Sequence, residues 1–218
     1  MKKAPLLSFR YFFYDFIRLT GWPLLIFFRP KKFYVSKSAK TGFKGGFILM
    51  ANHNSMKDPF YLIACLFSRR HHFVTTNEVC STKWKRFLFK TCFLCIEINR
   101  EKFSMSSFKE ITTNLERGNM VSMFPEGHIN VEQNELNPFK GGIVMMAYKA
   151  NVPIRPVYLE KRKHWYSRLR LYVGEKFDIR DYLNGRSLNT NTVKEIASEL
   201  ENKEKELEIL CSNRRKRA

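Results

Sequence analysis

The sequence predicts an α/β domain, a largely parallel central sheet flanked by helices, preceded by an N-terminal helical segment suited to a membrane interface. Three observations predict it. Short apolar or β-branched runs recur at residues 47–50, 73–76, 95–98, 120–124, 154–159 and 169–173. Helical stretches lie between several of them, at 60–67, 84–91, 103–117 and 139–150. Strands that alternate with helices favour parallel pairing through crossover connections. The 218 residues are enough for one domain with a sizeable core.

The first element spans residues 6–30. Phe9, Phe12, Phe13 and Phe16 fall on one side at helical spacing, and Arg10, Tyr14 and Arg18 on the other. Trp22 to Phe28 adds a short apolar stretch in which Pro23 kinks or restarts the helix. Arg29, Lys31 and Lys32 close it. Charges interrupt the segment well short of the roughly 20 apolar residues that span a bilayer. The expectation is a monotopic anchor lying in one leaflet's interface. The competing reading is an amphipathic helix packed on the protein's own core. No small-residue cleavage site follows, so a cleaved signal peptide is not expected.

Gly45-Gly46 introduces the strand 47–50, which runs into a loop carrying His53. Pro59 suits the first turn of the next helix. Residues 192–211 read as an amphipathic helix, with Thr192 and Glu195 as a capping box and Val193, Ile196, Leu200, Leu207 and Leu210 as its stripe. The stripe is too short for a coiled coil and is expected to pack on the domain. The expected organisation is an anchor at 1–32, the α/β domain at 33–190, and a C-terminal helix with a basic tail at 191–218.

Thirty-nine basic against 20 acidic residues give a formal charge of +19, a field that favours anionic partners. Twenty phenylalanines, nine tyrosines and three tryptophans accompany it. Basic plus aromatic suits an interfacial membrane binder, and some single-strand nucleic-acid binders as well. No nucleic-acid motif is present, so no nucleic-acid partner is expected. The five cysteines form no paired framework, and Cys92-x-x-Cys95 has no second half-site. They are expected to be reduced, packing thiols of a cytosolic setting.

The chemistry concentrates in Asn52-His53-Asn54-Ser55-Met56-Lys57-Asp58. A histidine and an aspartate at this spacing can form one unit, with His53 as general base and Asp58 fixing its tautomer. No Gly-x-Ser-x-Gly elbow accompanies them, so the base would activate a bound alcohol rather than a serine nucleophile. His53, Asp58, Glu126 and His128 are usable metal ligands, but their spacings match no common zinc pattern, and no metal is expected.

Three further segments accompany this one in order: Ile96-Glu97-Ile98-Asn99-Arg100, Phe124-Pro125-Glu126-Gly127-His128 and Val152-Pro153-Ile154-Arg155-Pro156-Val157. The set resembles the glycerolipid acyltransferase superfamily, specifically the 1-acylglycerol-3-phosphate O-acyltransferases. That family's pattern has an Asn-His-x-Ser-x-x-Asp block, a block ending in Arg, a Phe-Pro-Glu-Gly block and a Val-Pro-Ile-x-Pro-Val block. Two departures stand out. Cys92-Phe93-Leu94-Cys95 occupies the place of a usual glycine, and His128 stands where Ser or Thr is usual.

The resemblance implies transfer of a fatty acyl group from acyl-CoA or acyl carrier protein to the free hydroxyl of a lysophospholipid. Lysophosphatidic acid, giving phosphatidic acid, is the leading case; glycerol 3-phosphate or another lysolipid is the alternative. It implies His53 and Asp58 as the catalytic pair and no cofactor beyond the acyl donor. Arg100 would bind the acceptor's phosphate, since guanidinium matches phosphate oxygens in bidentate fashion. Glu126, Gly127 and His128 would contact the acceptor, and Lys140, opening a helix, would assist with phosphate. Asn52 and Ser55 would line the loop and cap the following helix. The expected location is peripheral or monotopic, on the cytoplasmic face of an anionic phospholipid membrane.

Overall fold

The structure is a computed structural model and describes residues 11–21, 23, 30–41, 43–99, 104–125, 139–162, 164 and 167–216. Its centre is strand β2 (Phe47–Ala51), in which all five residues are buried. Such a strand is covered on both faces, which explains why its sequence is continuously apolar rather than alternating. The chain then runs outward through α3 (Asp58–Cys65), β3 (His71–Thr76), α4 (Lys83–Cys92) and β4 (Ile96–Ile98). It returns through α5 (Met105–Glu116) to place β5 (Met120–Met123) between β2 and β3. Helix α6 (Phe139–Ala150) then carries it to β6 (Ile154–Leu159) on the far side of β2.

These five strands are parallel to one another. Strand β7 (Arg170–Val173) turns back antiparallel to β6, and β1 (Lys31–Tyr34) pairs parallel with β7 at the edge. The order is β1-β7-β6-β2-β5-β3-β4. Because the outward and return paths use right-handed crossovers, their helices cover opposite faces. One face packs Phe47, Leu49, Phe73 and Met120 under Leu62, Cys65 and Phe89 of α3 and α4. The other packs Ile48, Met50, Val121 and Met123 under α5, α6 and the long C-terminal helix α8 (Thr190–Lys216). Gly46 is needed where β2 begins: a Cβ there would lie 2.0 Å from the Leu115 carbonyl oxygen.

Four features differ from the sequence expectation. Strand β1 takes in Lys31 and Lys32, which composition places at the end of the N-terminal segment. Two lysines do not read as a strand start; β7 supplies the pairing, and lysines on an edge discourage further strand addition. Short helices α2 (Lys37–Lys40) and α7 (Ile179–Leu183) carry no periodicity long enough to detect. Helix α8 begins at Thr190, and its cap is Asn189, not Thr192. The Asn189 side chain accepts from the N–H groups of Asn191 and Thr192 at 2.9 Å each, while Thr192 Oγ1 accepts from Asn189 N–H at 2.8 Å. Glu195 pairs instead with Tyr182 and Arg186.

Within the N-terminal segment, α1 (Phe12–Thr20) turns its polar side inward. Asp15 is buried against Arg70, which reaches it from Nε at 3.0 Å and Nη2 at 2.6 Å, and against Arg18 at 3.2 Å. Tyr14 accepts from the His71 N–H at 3.1 Å, and burial pushes its hydroxyl pKa up to about 12. Phe12, Phe13 and Phe16 face outward and are exposed. A helix docked on its own core through a phenylalanine stripe would do the reverse. Among the described residues, no helix is long and apolar enough to cross a membrane. All five cysteines are free and buried, and burial pushes the Cys65 thiol up to about 12, so its reactive thiolate is suppressed.

Candidate active site

The His53 loop leaves the carboxyl end of β2, where open α/β sheets place their ligand crevices. Asn52 fixes the point of departure. Its Oδ1 accepts from Leu159 N–H at 2.6 Å and its Nδ2 donates to Leu159 C=O at 3.1 Å. Ala51 is already paired with Val157, so the buried Asn52 amide acts as one more rung of the β2–β6 ladder. Its polar atoms are thereby committed to the scaffold.

Asp58 then folds the loop back. It opens α3, followed by Pro59 in the first turn as the sequence predicts. One carboxylate oxygen, Oδ2, accepts from Asn54 N–H at 2.6 Å, Ser55 N–H at 2.7 Å and His53 Nδ1 at 3.1 Å. The turn is closed by Asp58 N–H donating to Ser55 C=O at 2.9 Å. Ser55 Oγ accepts weakly from Lys57 N–H at 3.3 Å. No side-chain oxygen caps α3, so Ser55 is a turn residue rather than the helix cap.

The Asp58 side chain is 4% exposed and that of His53 15%. A carboxylate can only accept, so Nδ1 carries the hydrogen and Nε2 keeps its lone pair. An imidazole held in this tautomer, with one edge reaching solvent, is arranged to take a proton from a hydroxyl. The nearly dry carboxylate would stabilise the imidazolium that results.

The far face of the imidazole rests on Phe124, with ring centroids 4.2 Å apart and planes 22° apart. Phe124 leaves β5, the strand beside β2. It continues a column: Phe124 to Phe73 at 6.4 Å, then Phe73 to His71 at 5.2 Å, both nearly parallel. His71 is fully buried with Nδ1 2.8 Å from Ser122 Oγ, and burial pushes its pKa down to about 3. It is thus a neutral packing residue, whereas His53 sits at the open end of the same column.

The structure therefore joins the first and third sequence segments through His53 and Phe124, adjacent to Pro125. Glu126, Gly127 and His128 follow directly in sequence and lie outside the described residues, as does Arg100. The strand that leads to Arg100, β4, stands two places from β5, beyond β3. Lys140 lies in the first turn of α6. Among the described residues, no group of three or more His, Cys, Asp or Glu side chains could hold a metal ion. A shallow apolar pocket lined by Met50, Pro125, Ile143 and Leu200 lies on the α6/α8 side and does not include His53.

Two residues escape sequence reasoning. Phe124 reads as part of a motif, not as the surface under the histidine. Arg155, in the proline-bracketed strand, is 1% exposed. Its guanidinium donates to the carbonyls of Ala39 at 2.8 Å, Thr41 at 3.0 Å and Gly174 at 3.3 Å, and lies 4.5 Å over the Phe43 ring. It is a structural clamp held by backbone carbonyls, and its burial lowers its pKa.

Comparisons with known proteins bear on this geometry. The family model described as Acyltransferase matches residues 31–160, which run from the start of β1 to just past β6. A search of curated proteins finds no match. Among solved structures, the chain is similar to the 1-acyl-sn-glycerophosphate (LPA) acyltransferase PlsC from Thermotoga maritima. The TM-score is 0.59 at 20% identity, covering 92% of this chain and 80% of that one. At that identity the likeness establishes a shared fold.

Proposed function

We propose, from the premise that the chain belongs to the acyltransferase family, that it acylates the free hydroxyl of lysophosphatidic acid to give phosphatidic acid. The observation that carries this reading is the His53–Asp58 pair, 3.1 Å apart at the carboxyl edge of the sheet within the family-matched segment. The structural relative from Thermotoga maritima, a 1-acyl-sn-glycerophosphate (LPA) acyltransferase, supports the choice of acceptor.

The donor in this reading is a fatty acyl thioester, acyl-CoA or acyl carrier protein, and no other cofactor takes part. His53 Nε2 removes the proton as the acceptor oxygen attacks the thioester carbonyl. The tetrahedral intermediate collapses, the C–S bond breaks, and the imidazolium returns the proton to the leaving thiolate. No acyl-enzyme forms. Asp58 keeps Nδ1 protonated and offsets the charge on the ring.

Arg100 and Lys140 hold the acceptor's phosphate, and Glu126, Gly127, His128 and Ser55 contact its glycerol portion. Asn52 serves the same site through the backbone it holds. The protein works at the cytoplasmic face of an anionic membrane, attached peripherally or monotopically through residues 6–30, whose described phenylalanines point outward.

The test is acyl transfer by the full chain, assayed with lysophosphatidic acid, other lysolipids and glycerol 3-phosphate against both donor types. Preference for lysophosphatidic acid, lost in His53→Ala, is the expected result. Preferential acylation of glycerol 3-phosphate would reassign the acceptor. Normal turnover by folded His53→Ala would overturn the mechanism.

A further inference from the structure

Helix α4 departs from the usual amphipathic pattern. It is capped by Thr82, whose Oγ1 accepts from Lys85 N–H at 3.2 Å. Toward the domain it offers Cys92 and, in part, Phe89, which packs with Phe93 at 5.8 Å. Its other aromatics point away from the core. Trp84 is 69% exposed and Phe87 54% exposed, stacked on one another at 5.9 Å. With Leu88 and Thr91 they share one side at helical spacing. Lys83, Arg86 and Lys90 line the flank of that side, and all three are exposed.

The charges also stand at an unusual end. Lys83, Lys85 and Arg86 crowd the first turn, which contains no acidic residue. A helix N-terminus carries partial positive charge, so cations there are unfavourable unless an anion lies beside them. Glu97 meets Arg86 at 3.0 Å and Lys90 at 3.9 Å, toward the other end of the basic flank.

Helix α4 is in contact with α1. Among the described residues, thirteen large apolar side chains are exposed. Nine of them are five on α1, Met56 and Phe60 where α3 begins, and Trp84 and Phe87 on α4. The exposed apolar surface is therefore concentrated on three neighbouring helices beside the loop that carries His53.

We infer that α4 is a second membrane-contacting helix, whose Trp84–Phe87 pair enters an anionic bilayer while Lys83 and Lys85 meet lipid phosphates. The assignment rests on the membrane attachment proposed above, and adds a contact outside the N-terminal segment. An exposed tryptophan with interleaved lysines is the composition that interfaces favour, and the bilayer supplies anions to Lys83 and Lys85, whereas Glu97 serves Arg86 and Lys90. An acidic carrier protein would satisfy the lysines but leave unexplained the continuity with the exposed α1 phenylalanines.

The experiment uses the full chain with Trp22→Phe and Trp165→Phe, leaving Trp84 as the sole tryptophan. Vesicles contain phosphatidylcholine and phosphatidylglycerol, with and without brominated acyl chains. On binding, Trp84 emission should shift to the blue and be quenched by the brominated lipid. In the otherwise native chain, Trp84→Ser with Phe87→Ser should lower vesicle partitioning about tenfold or more, since two aromatic side chains would no longer be buried. Vesicle-bound protein whose Trp84 is neither shifted nor quenched would overturn the proposal and leave attachment through residues 6–30 intact. Unchanged partitioning of the double variant would do the same. A Trp84 response to acyl carrier protein but not to vesicles would assign the patch to that partner instead. Failure of the parent chain to bind vesicles at all would remove both contacts, whereas acyl transfer to a soluble short-chain acceptor reports on the chemistry separately.

Discussion

Asn52 and Leu159 exchange two hydrogen bonds across the carboxyl edge of the sheet, although 107 positions separate them in sequence. The side chain of one residue completes the backbone of the other. Asn52→Ala removes both bonds, strands the buried Leu159 N–H and leaves its C=O only the long 3.5 Å bond from Asn54 Nδ2, which costs about 1–3 kcal/mol. A lower urea midpoint is expected, with a fall in kcat from a displaced His53. An unchanged midpoint would mean that the rung contributes nothing.

His53→Ala should lower the transfer rate by roughly 10²–10⁴ while the fold is retained, since the residue is partly exposed and has one side-chain hydrogen-bond partner, Asp58. Circular dichroism checks the fold and single-turnover kinetics the rate.

Asp58→Asn should be costly in two ways. The carboxylate oxygen that accepts from Asn54, Ser55 and His53 becomes a neutral amide, which weakens the loop and removes the charge opposing the imidazolium. Both a lower melting temperature and a severe loss of kcat are expected. Loss of activity with unchanged stability would confine Asp58 to the chemistry.

Phe124→Leu keeps apolar volume but removes the ring on which His53 lies. The expected result is a decrease in kcat with little change in KM for either substrate, because only the base is less well held. A change confined to KM would instead place Phe124 against substrate.

Acid should weaken the protein through His71. Its folded pKa is pushed down to about 3, below the ordinary 6.5. Between those values the unfolded chain binds a proton that the folded chain refuses. Stability is therefore full above pH 6.5 and falls as the pH drops toward 3, by up to about 1.4 kcal/mol per unit from this group. His71→Gln should flatten that part of the profile, read as urea midpoints at pH 7 and pH 5. Parallel profiles for the two proteins would assign the acid sensitivity elsewhere.

The central strand was legible because burial on both faces demands an unbroken apolar run, as in Phe47–Ala51. The His53–Asp58 pairing was legible because the two residues stand five positions apart around one turn. Strand β1 was not, since Lys31 and Lys32 owe their conformation to β7. Nor was the surface beneath His53: Phe124 reaches it only because β5 is inserted beside β2. The inward turn of α1 was hidden for a similar reason. Asp15 is buried by Arg70, and nothing local to the helix announces that partner.

The Arg155 clamp has a consequence for the order in which the molecule is made. The carbonyl of Ala39 waits for a guanidinium 116 positions downstream. Strand β1 waits longer, for β7. During synthesis the early segment therefore leaves the ribosome without its permanent neighbours, carrying the outward phenylalanines of α1. Closure of that edge is a late, non-local step, of the kind that slows folding and exposes nascent chains to aggregation. In the membrane attachment proposed above, a lipid surface shields those rings in the interval.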